Sequence, residues 1–294
     1  MKIRGYLSDK KILTIVLLIS FTVFGLVPMT AINGNPLNIG KSTVNLLNAQ
    51  DDVYTSTQVT VNVLIYDGEG VIPGSVEGIT DCLDYANDDN LDSNVYFNYS
   101  TAEEINSQTL AGYDVLIMPG GLAITYINNP EINAEDLKNF VKNGNGYVGI
   151  CAGSYAASKH VDGDYDGWGI APNINSKPVD YMGNLSVLIT PNGENILNSQ
   201  KISNFAGQKT SGFLSTTDSV TMYHWNGPAM YKTDGSNDSL AVYATTETGY
   251  QNYAAIATDT YGSGRVILSG PHPELSPTKP EMLARMILWA AKKI

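Results

Sequence analysis

Charged residues are scarce in this sequence, and basic residues are the scarcer kind. Only 16% of the 294 residues are Asp, Glu, Lys or Arg, and the formal net charge is −12 at pH 7. Because a nucleic acid is held mainly by Lys and Arg contacts to its phosphates, this balance argues against a nucleic-acid partner. Apolar residues make up 43% of the chain, which is enough for a folded core and excludes wholesale disorder.

Cysteine and histidine are also rare. The two cysteines, Cys82 and Cys151, are too few for a disulfide framework. The three histidines are separated from one another and from the cysteines, so the chain has no zinc-binding spacing. We therefore predict no metal site and no cofactor.

Long hydrophobic runs are absent except for one near the N-terminus. Residues 12–29 (ILTIVLLISFTVFGLVPM) contain no charge and follow Lys10 and Lys11. A basic flank before an apolar run is typical of a secretory signal or a membrane anchor. The run is longer than a typical signal core and is at the lower limit of length for crossing a bilayer. We expect an extracellular or cell-surface protein, with residues 1–31 as signal peptide or N-terminal anchor and the polar residues 32–57 as a flexible linker.

The remaining residues, 58–294, begin with an alternation of strand-like and helix-like segments. This alternation predicts right-handed βαβ units and a parallel sheet. Ligands of such sheets bind beyond the carboxyl ends of the strands. We predict strands at 59–66, 94–99, 113–118 and 147–150, and helices at 74–87, at 133–143 and directly after Cys151.

Beyond about residue 162, turns rich in Asp, Gly and Asn separate short strand-like segments. They predict a mostly antiparallel extension of the same sheet, and the closing segment 278–294 has the pattern of an amphipathic helix. We therefore predict a flavodoxin-like, doubly wound α/β fold with a mostly parallel sheet in one domain at 58–294. The predicted strands of the extension are 186–190, 219–224, 239–246, 253–259 and 265–269.

The segment Gly149-Ile150-Cys151-Ala152-Gly153 has the spacing of a nucleophile elbow between a strand and a helix. Such a turn strains the central residue, so its neighbours must lack bulk, and Gly149 and Gly153 meet that need. A thiol at a helix N-terminus is favoured as thiolate by the helix dipole and the free N–H groups. The motif predicts that Cys151 is a nucleophile, and a small buried cysteine in an ordinary turn is the alternative.

Two other segments offer groups that a thiol nucleophile needs. Pro119-Gly120-Gly121 ends another predicted parallel strand and can present backbone N–H groups to a developing oxyanion, or it is an ordinary turn. Near the C-terminus, His272 can act as a general base for the thiol, and Glu274 can orient its imidazole. The three segments together predict a Cys-His-Glu triad.

An aromatic-rich segment at residues 223–231 (YHWNGPAMY) is the other unusual feature. Its Tyr223 and Asn226 are candidates for lining a ligand pocket, and strand packing with a hairpin turn is the alternative. Asp67 and Glu69, directly after the first strand, are further candidates for this crevice.

These motifs resemble those of class I glutamine amidotransferase-like domains, whose signature is a cysteine elbow and a late His-x-Glu. The sequence looks most similar to the amidotransferase-like domain at the N-terminus of eukaryotic biotin–protein ligases. The resemblance covers about residues 60–290. The matching segments are VNVLIYDGEGV at 61–71, YDVLIMPGG at 113–121, GYVGICAGSYAAS at 146–158, YHWNGPAMY at 223–231 and GSGRVILSGPHPE at 262–274.

The resemblance implies a role for each residue of the predicted site. It makes Cys151 the nucleophile, His272 the base and Glu274 the residue that orients it. It also implies an oxyanion site built from Gly120, Gly121 and the backbone amide of Ala152.

The sequence departs from the family at one substrate-binding position. Members that hydrolyse glutamine usually carry Gln four residues after the nucleophile, where this chain has Tyr155. This difference counts against glutamine as the substrate and makes Tyr155 a candidate substrate-binding residue. The matching segments contain no biotin-ligase catalytic module, so we do not expect biotin transfer.

The leading hypothesis is an exported cysteine hydrolase that cleaves an amide or related acyl bond through a thioester. Its expected partner is a small-molecule or peptide-like amide substrate, and residues 12–29 provide a possible attachment to a membrane. The main alternative is a noncatalytic extracellular ligand-binding module on the same fold. A cell-surface structural protein is a third hypothesis, suggested only by the acidic, Asn- and Tyr-rich composition.

Overall fold

The computed structural model describes residues 58–88, 94–197 and 219–294. In these residues a 12-stranded sheet is combined with helices. The strands are β1 (Val59–Tyr66), β2 (Val95–Ala102), β3 (Val115–Met118), β4 (Gly146–Ile150), β5 (Ser158–Val161), β6 (Ala171–Lys177), β7 (Met182–Ile189), β8 (Ser219–Trp225), β9 (Ala229–Lys232), β10 (Ala241–Tyr243), β11 (Ala254–Tyr261) and β12 (Gly264–Ser269). The helices are α1 (Ser75–Asp88), α2 (Ala123–Asn128), α3 (Ala134–Lys142), α4 (Ala152–Ala157), α5 (Pro191–Leu197) and α6 (Pro280–Ala290).

One half of the sheet is parallel and the other half is antiparallel. The parallel half runs β2-β1-β3-β4-β12, which is the strand order of flavodoxin-like folds. The sheet continues from β12 through the antiparallel strands β11, β10, β7 and β8. Strands β9, β6 and β5 form a branch that leaves the sheet at β11. The predicted fold class, including the antiparallel extension, is confirmed.

Helices cover both faces of the parallel strands because alternate side chains of each strand point to opposite faces. On one face Ile117 of β3 belongs to the core formed with α1 and α6. On the other face Leu116 belongs to the core formed with α2, α3 and α4. As expected of an amphipathic helix, α6 buries one set of apolar residues: Met282, Met286, Ile287 and Ala290.

The start of α3 shows how local sequence defines a helix. The side chain of Asn133 accepts hydrogen bonds from the backbone N–H groups of Glu135 and Asp136, each at 3.1 Å. These bonds satisfy two of the N–H groups that a helix start leaves unpaired. The helix buries Leu137, Phe140 and Val141, as its apolar spacing predicts.

Some short elements were not predicted from the sequence, namely β5, β6, β9, α2 and α5. Strand β6 (APNINSK) contains a proline and several polar residues, and its side chains give no strong strand pattern. It forms because its backbone pairs with β9 and β5. The predicted strand at 239–246 is also longer than β10, which covers only Ala241–Tyr243.

None of the helices in the described ranges combines the length and apolar character needed to cross a bilayer. The predicted export segment at residues 1–31, its apolar run at 12–29 and the linker at 32–57 lie outside the described residues.

Candidate active site

Cys151 occupies a strained turn between β4 and α4. Its backbone has φ +50° and ψ −104°, a conformation that side chains rarely adopt. Gly153 must be a glycine here, because a Cβ atom would collide with the carbonyl oxygen of Met118. A Cβ on Gly149 would lie 2.8 Å from the Gly153 carbonyl carbon. The strand, strained cysteine and helix predicted from the motif are therefore present.

Sheet pairing brings the late histidine to this turn. Strands β4 and β12 are parallel neighbours, with Ile150 opposite Ser269. The backbone N–H of Cys151 donates to the Ser269 carbonyl at 2.8 Å, so both strands end at the same place. The loop after β12 then places His272, whose backbone N–H donates to Tyr223 O at 2.8 Å.

His272 and Glu274 form a fully buried pair. The Nδ1 atom of His272 lies 2.8 Å from Oε1 of Glu274, and both side chains have no solvent exposure. Burial alone would lower the pKa of His272, but the Glu274 carboxylate and the neighbouring Cys151 outweigh it and raise the pKa to about 10. These neighbours therefore favour the cationic form of the imidazole.

The thiol lies beside this imidazole but is hydrogen-bonded elsewhere. Cys151 is 5% exposed, and its Sγ donates to the carbonyl oxygen of Trp225 at 3.3 Å. The Nε2 atom of His272 has no hydrogen-bond partner among the described residues. The sulfur is nonetheless close enough to His272 to contribute to the raised pKa of the imidazole.

Ser75 is a site residue that the sequence analysis missed. Its hydroxyl donates to Oε1 of Glu274 at 2.8 Å and accepts the backbone N–H of Gly120 at 3.0 Å. Ser75 begins α1, and serine at a helix start is common, so no local signal marks it as part of a site.

The bond from Gly120 to Ser75 changes the predicted oxyanion site. The backbone N–H of Gly120 already donates a hydrogen bond to Ser75, so it is not available to an oxyanion, contrary to the prediction. The N–H groups of Gly121 and Ala152 have no protein acceptor within the described ranges. These two are the remaining predicted donors.

Gly120 has a second role, because it lies against the His272 ring. A Cβ atom at Gly120 would be 2.5 Å from Cε1 of His272. The backbone on the other side is held by the bond from Ile72 N to Gly120 O, at 3.1 Å. A cleft of about 470 Å³ next to this turn is lined by residues that include Ile72, Asp67 and Glu77.

The three predicted substrate-binding residues are engaged in protein contacts around the thiol. The hydroxyl of Tyr155 donates a hydrogen bond to the Asn226 carbonyl at 3.0 Å and accepts one from the backbone N–H of Val179 at 3.2 Å. Burial raises the pKa of Tyr155 well above its usual value, so the hydroxyl stays protonated. Asn226 has a backbone φ of +52°, and its Oδ1 accepts a hydrogen bond from the backbone N–H of Tyr181. The backbone carbonyl of Tyr223 accepts a hydrogen bond from the backbone N–H of His272.

Residues 225–228, which we call the strap, connect β8 to β9 and pass beside Cys151. The Trp225 carbonyl accepts the hydrogen bond from the Cys151 thiol. The Pro228 carbonyl accepts a hydrogen bond from the hydroxyl of Tyr243 at 2.7 Å. Gly227 lies against Gly270, where a Cβ atom would collide with the Gly270 carbonyl oxygen. The strap therefore restricts access to the thiol, and no sequence motif marks the Trp225 carbonyl as a partner.

The fold has counterparts among solved structures. The structure of PurLQS from Thermotoga maritima matches with a TM-score of 0.51 and 13% identity, over 80% of this chain and 99% of that chain. A crystal structure of a glutamine amidotransferase has a TM-score of 0.49 and 15% identity, over 76% of this chain and 98% of the other. At such identity the likeness concerns the fold alone. The protein has a glutamine amidotransferase-like fold.

Sequence comparison identifies a more specific relationship within this fold class. Residues 61–170 match the model of the family described as "Biotin-protein ligase, N terminal". A Biotin--protein ligase of Schizosaccharomyces pombe (strain 972 / ATCC 24843) is 28% identical over 163 residues, or 55% of this chain. The aligned part is 26% of that relative's length. The resemblance to the N-terminal domain of biotin–protein ligases is thereby confirmed, and the matching region contains Cys151.

Proposed function

We propose that this protein is an exported cysteine hydrolase that cleaves an amide or related acyl bond of a small-molecule or peptide-like substrate. The observation that carries the proposal is the buried, 2.8 Å His272–Glu274 pair beside the strained Cys151 turn. A strained nucleophile next to an oriented imidazole is the arrangement that covalent acyl transfer requires.

In the first step, the Cys151 thiolate attacks the carbonyl carbon of the substrate and forms a carbon–sulfur bond. His272 lies next to the sulfur and carries the Nε2 proton that it later gives to the leaving group, and Glu274 is bonded to its Nδ1. The oxyanion that develops would accept hydrogen bonds from the N–H groups of Gly121 and Ala152. One such donor contributes about 3 kcal/mol where it has been measured.

Collapse of this intermediate breaks the bond to the leaving group. His272 gives its Nε2 proton to the departing amine, and a thioester remains on Cys151. Water then attacks the thioester and loses a proton to His272, which releases the acid and restores the thiolate. Glu274 keeps its bond to Nδ1 throughout, so that Nε2 stays directed at the reacting atoms.

Trapping an acyl-enzyme tests this proposal. The full chain is mixed with p-nitrophenyl acetate, and its intact mass is followed with and without hydroxylamine, which cleaves thioesters. We expect one acetyl group that hydroxylamine removes, that is lost in Cys151→Ala and that persists in Cys82→Ala. An acetyl group retained in Cys151→Ala, or none in the wild-type protein, contradicts the proposal.

A noncatalytic binding module is the second candidate function. The observation that favours it is the bond from the Cys151 thiol to Trp225 O, which leaves Nε2 of His272 without a partner among the described residues. For a module of this kind, Cys151→Ala would bind its ligand as the wild type does, and no member of a panel of amides would be turned over by either protein.

Export and location are proposed from the sequence of residues 12–29. Biotin transfer is not part of the proposal, because the chain aligns with only 26% of its biotin–protein ligase relative.

A further inference from the structure

A second cavity, of about 500 Å³, lies in the antiparallel part of the molecule. It opens where β9 separates from β11, since these strands pair only at Met230 and Ala254. None of the residues that line it belongs to the candidate active site. Its volume is within the range of small-molecule sites.

One end of this cavity contains the ammonium group of Lys232. The Nζ of Lys232 donates to the carbonyl oxygen of Thr258 at 2.6 Å, and its side chain is 13% exposed. An ammonium group has three N–H donors, and the two nearest carboxylates, Asp259 at 3.8 Å and Asp238 at 3.9 Å, are beyond hydrogen-bond distance. Lys232 therefore has donors left for a ligand.

A buried hydroxyl at the same end also lacks a partner. Ser239 is 6% exposed and lines the cavity, and its Oγ makes no hydrogen bond within the described part of the chain. It directly follows Asp238, the residue whose carboxylate lies 3.9 Å from Lys232. Because an unsatisfied buried hydroxyl is unfavourable, a ligand acceptor that reached this oxygen would stabilise it.

The rest of the lining is apolar and aromatic. The rings of Tyr231 and Tyr253 are 6.2 Å apart and nearly perpendicular. Lys177 fixes this aromatic side, with Nζ 5.3 Å from the Tyr231 ring centre and 2.7 Å from Asp162. Buried residues complete the surface: Ile174, Met230, Ala254 and Ala257.

The three carboxylates near the cavity differ in how firmly they are held. Asp259 is buried and accepts N–H groups of Asn173 and Thr260, and Asp162 is bonded to Lys177 and Tyr231. Asp238 has 55% of its side chain exposed, and its one ion pair among the described residues is with Lys232. An incoming anion would therefore compete with Asp238 and leave the other two in place.

We propose that this cavity binds a small organic anion. Its carboxylate or phosphate group would contact Lys232 and Ser239, and its apolar part would lie against Tyr231, Tyr253 and Met230. The site is separate from the Cys151 chemistry and does not depend on the proposed hydrolase function.

Fluorine NMR of small aromatic probes with the full chain tests this site. The probes are 4-fluorophenylacetate, 4-fluorophenyl phosphate and the neutral 2-(4-fluorophenyl)ethanol. We expect saturable line broadening by at least one anion, with binding of the alcohol about tenfold weaker, or about 1.4 kcal/mol. Comparison of the two anions identifies the preferred group.

Variants assign the binding to the cavity. Lys232→Met is expected to weaken anion binding about tenfold, Ser239→Ala to weaken it less, and Asp238→Asn to strengthen it. Lys138→Met is the matched control, because Lys138 lies on α3 and its ion pair is with Glu135. It changes the net charge equally and should leave binding unchanged.

Several results would overturn the proposal. They are equal binding of the alcohol and the anions, no binding of either anion at millimolar concentration, or equal losses in Lys138→Met and Lys232→Met. Because Lys232 also lies near the buried Asp259, Lys232→Met could fail to fold. In that case Asp238→Asn decides, since weakened or unchanged anion binding in this exposed variant contradicts the proposal.

Discussion

The hydroxyl of Ser75 lies 2.8 Å from Oε1 of Glu274, although the two residues are 199 positions apart in the chain. The same hydroxyl accepts the N–H of Gly120 at 3.0 Å. One buried oxygen atom therefore connects the carboxylate that orients His272 with the glycine turn that lies against the His272 ring.

Replacing Ser75 by alanine tests this connection. Ser75→Ala removes a donor from Glu274 and an acceptor from Gly120, both buried, at a cost of about 1–3 kcal/mol in the free energy of unfolding. We also expect slower alkylation of Cys151 by iodoacetamide across the pH range, because His272 is less well positioned. Thr80→Ala is the control on the same helix, since the exposed hydroxyl of Thr80 donates to the nearby Glu77 carbonyl. Equal alkylation rates in both variants would contradict the positioning role.

Gly120→Ala should disturb His272 directly. The new Cβ atom would be 2.5 Å from Cε1 of the ring, and the turn is held by Ile72 and Ser75. We expect the imidazole to move and the rate of Cys151 alkylation to fall. Gly112→Ala is a control with open space around the Cβ but φ +84°, where alanine costs about 1–2 kcal/mol of strain. Loss of stability without loss of thiol reactivity in Gly120→Ala would refute this prediction.

Tyr155→Phe should loosen the strap. It removes the hydroxyl that donates to Asn226 O and accepts Val179 N. We expect a maleimide of moderate size to modify Cys151 several times faster, as access beside the strap increases. Tyr113→Phe is the control, because the hydroxyl of Tyr113 bonds to Ser100 at an exposed position. An unchanged rate in Tyr155→Phe would mean that this hydroxyl does not restrict access.

The His272–Glu274 pair predicts how stability depends on pH. The pKa of His272 is raised from 6.5 to about 10 in the folded protein, so the folded state binds more protons than the unfolded state between these values. The contribution is fully present below pH 6.5 and is lost as the pH rises toward 10. We expect denaturant titrations to show this decline, and Glu274→Gln to reduce it.

A control variant separates this titration from the others. His160→Gln removes the exposed histidine that pairs with Asp166 and should leave the alkaline decline unchanged. If Glu274→Gln shows the same decline as the wild type, the pair does not account for it.

The parts of the fold that the sequence predicts well are those whose burial is continuous. Strand β1 (VTVNVLIY) is buried along most of its length, and helices α3 and α6 bury the apolar residues that their spacing indicates. Strand β6 escapes prediction because its pairing partners, and not its polar side chains, determine its structure.

The residues of the candidate site also fall into those that the sequence predicts and those that it does not. Cys151, His272 and Glu274 are recognisable because each lies in a short local motif. Ser75 and the Trp225 carbonyl are not, since one is joined to the site only by tertiary contacts and the other is a backbone atom. The Gly120 donor was misassigned because nothing local indicates that Ser75 accepts it.

The most direct test of the account compares the two cysteines of the same molecule. They are almost equally buried, with Cys151 5% and Cys82 3% exposed, so accessibility alone predicts similar reactivity. Burial raises the pKa of Cys82 to about 12, and the Glu274 and Asp81 carboxylates add to the increase, whereas Cys151 lies beside a cationic imidazole.

The measurement is the rate of iodoacetamide labelling of each cysteine at pH 7, followed by peptide mass spectrometry. We expect Cys151 to react more than about tenfold faster than Cys82, and His272→Asn to remove most of this difference. Equal rates for the two cysteines in the wild-type protein would contradict the claim that Cys151 is an activated nucleophile.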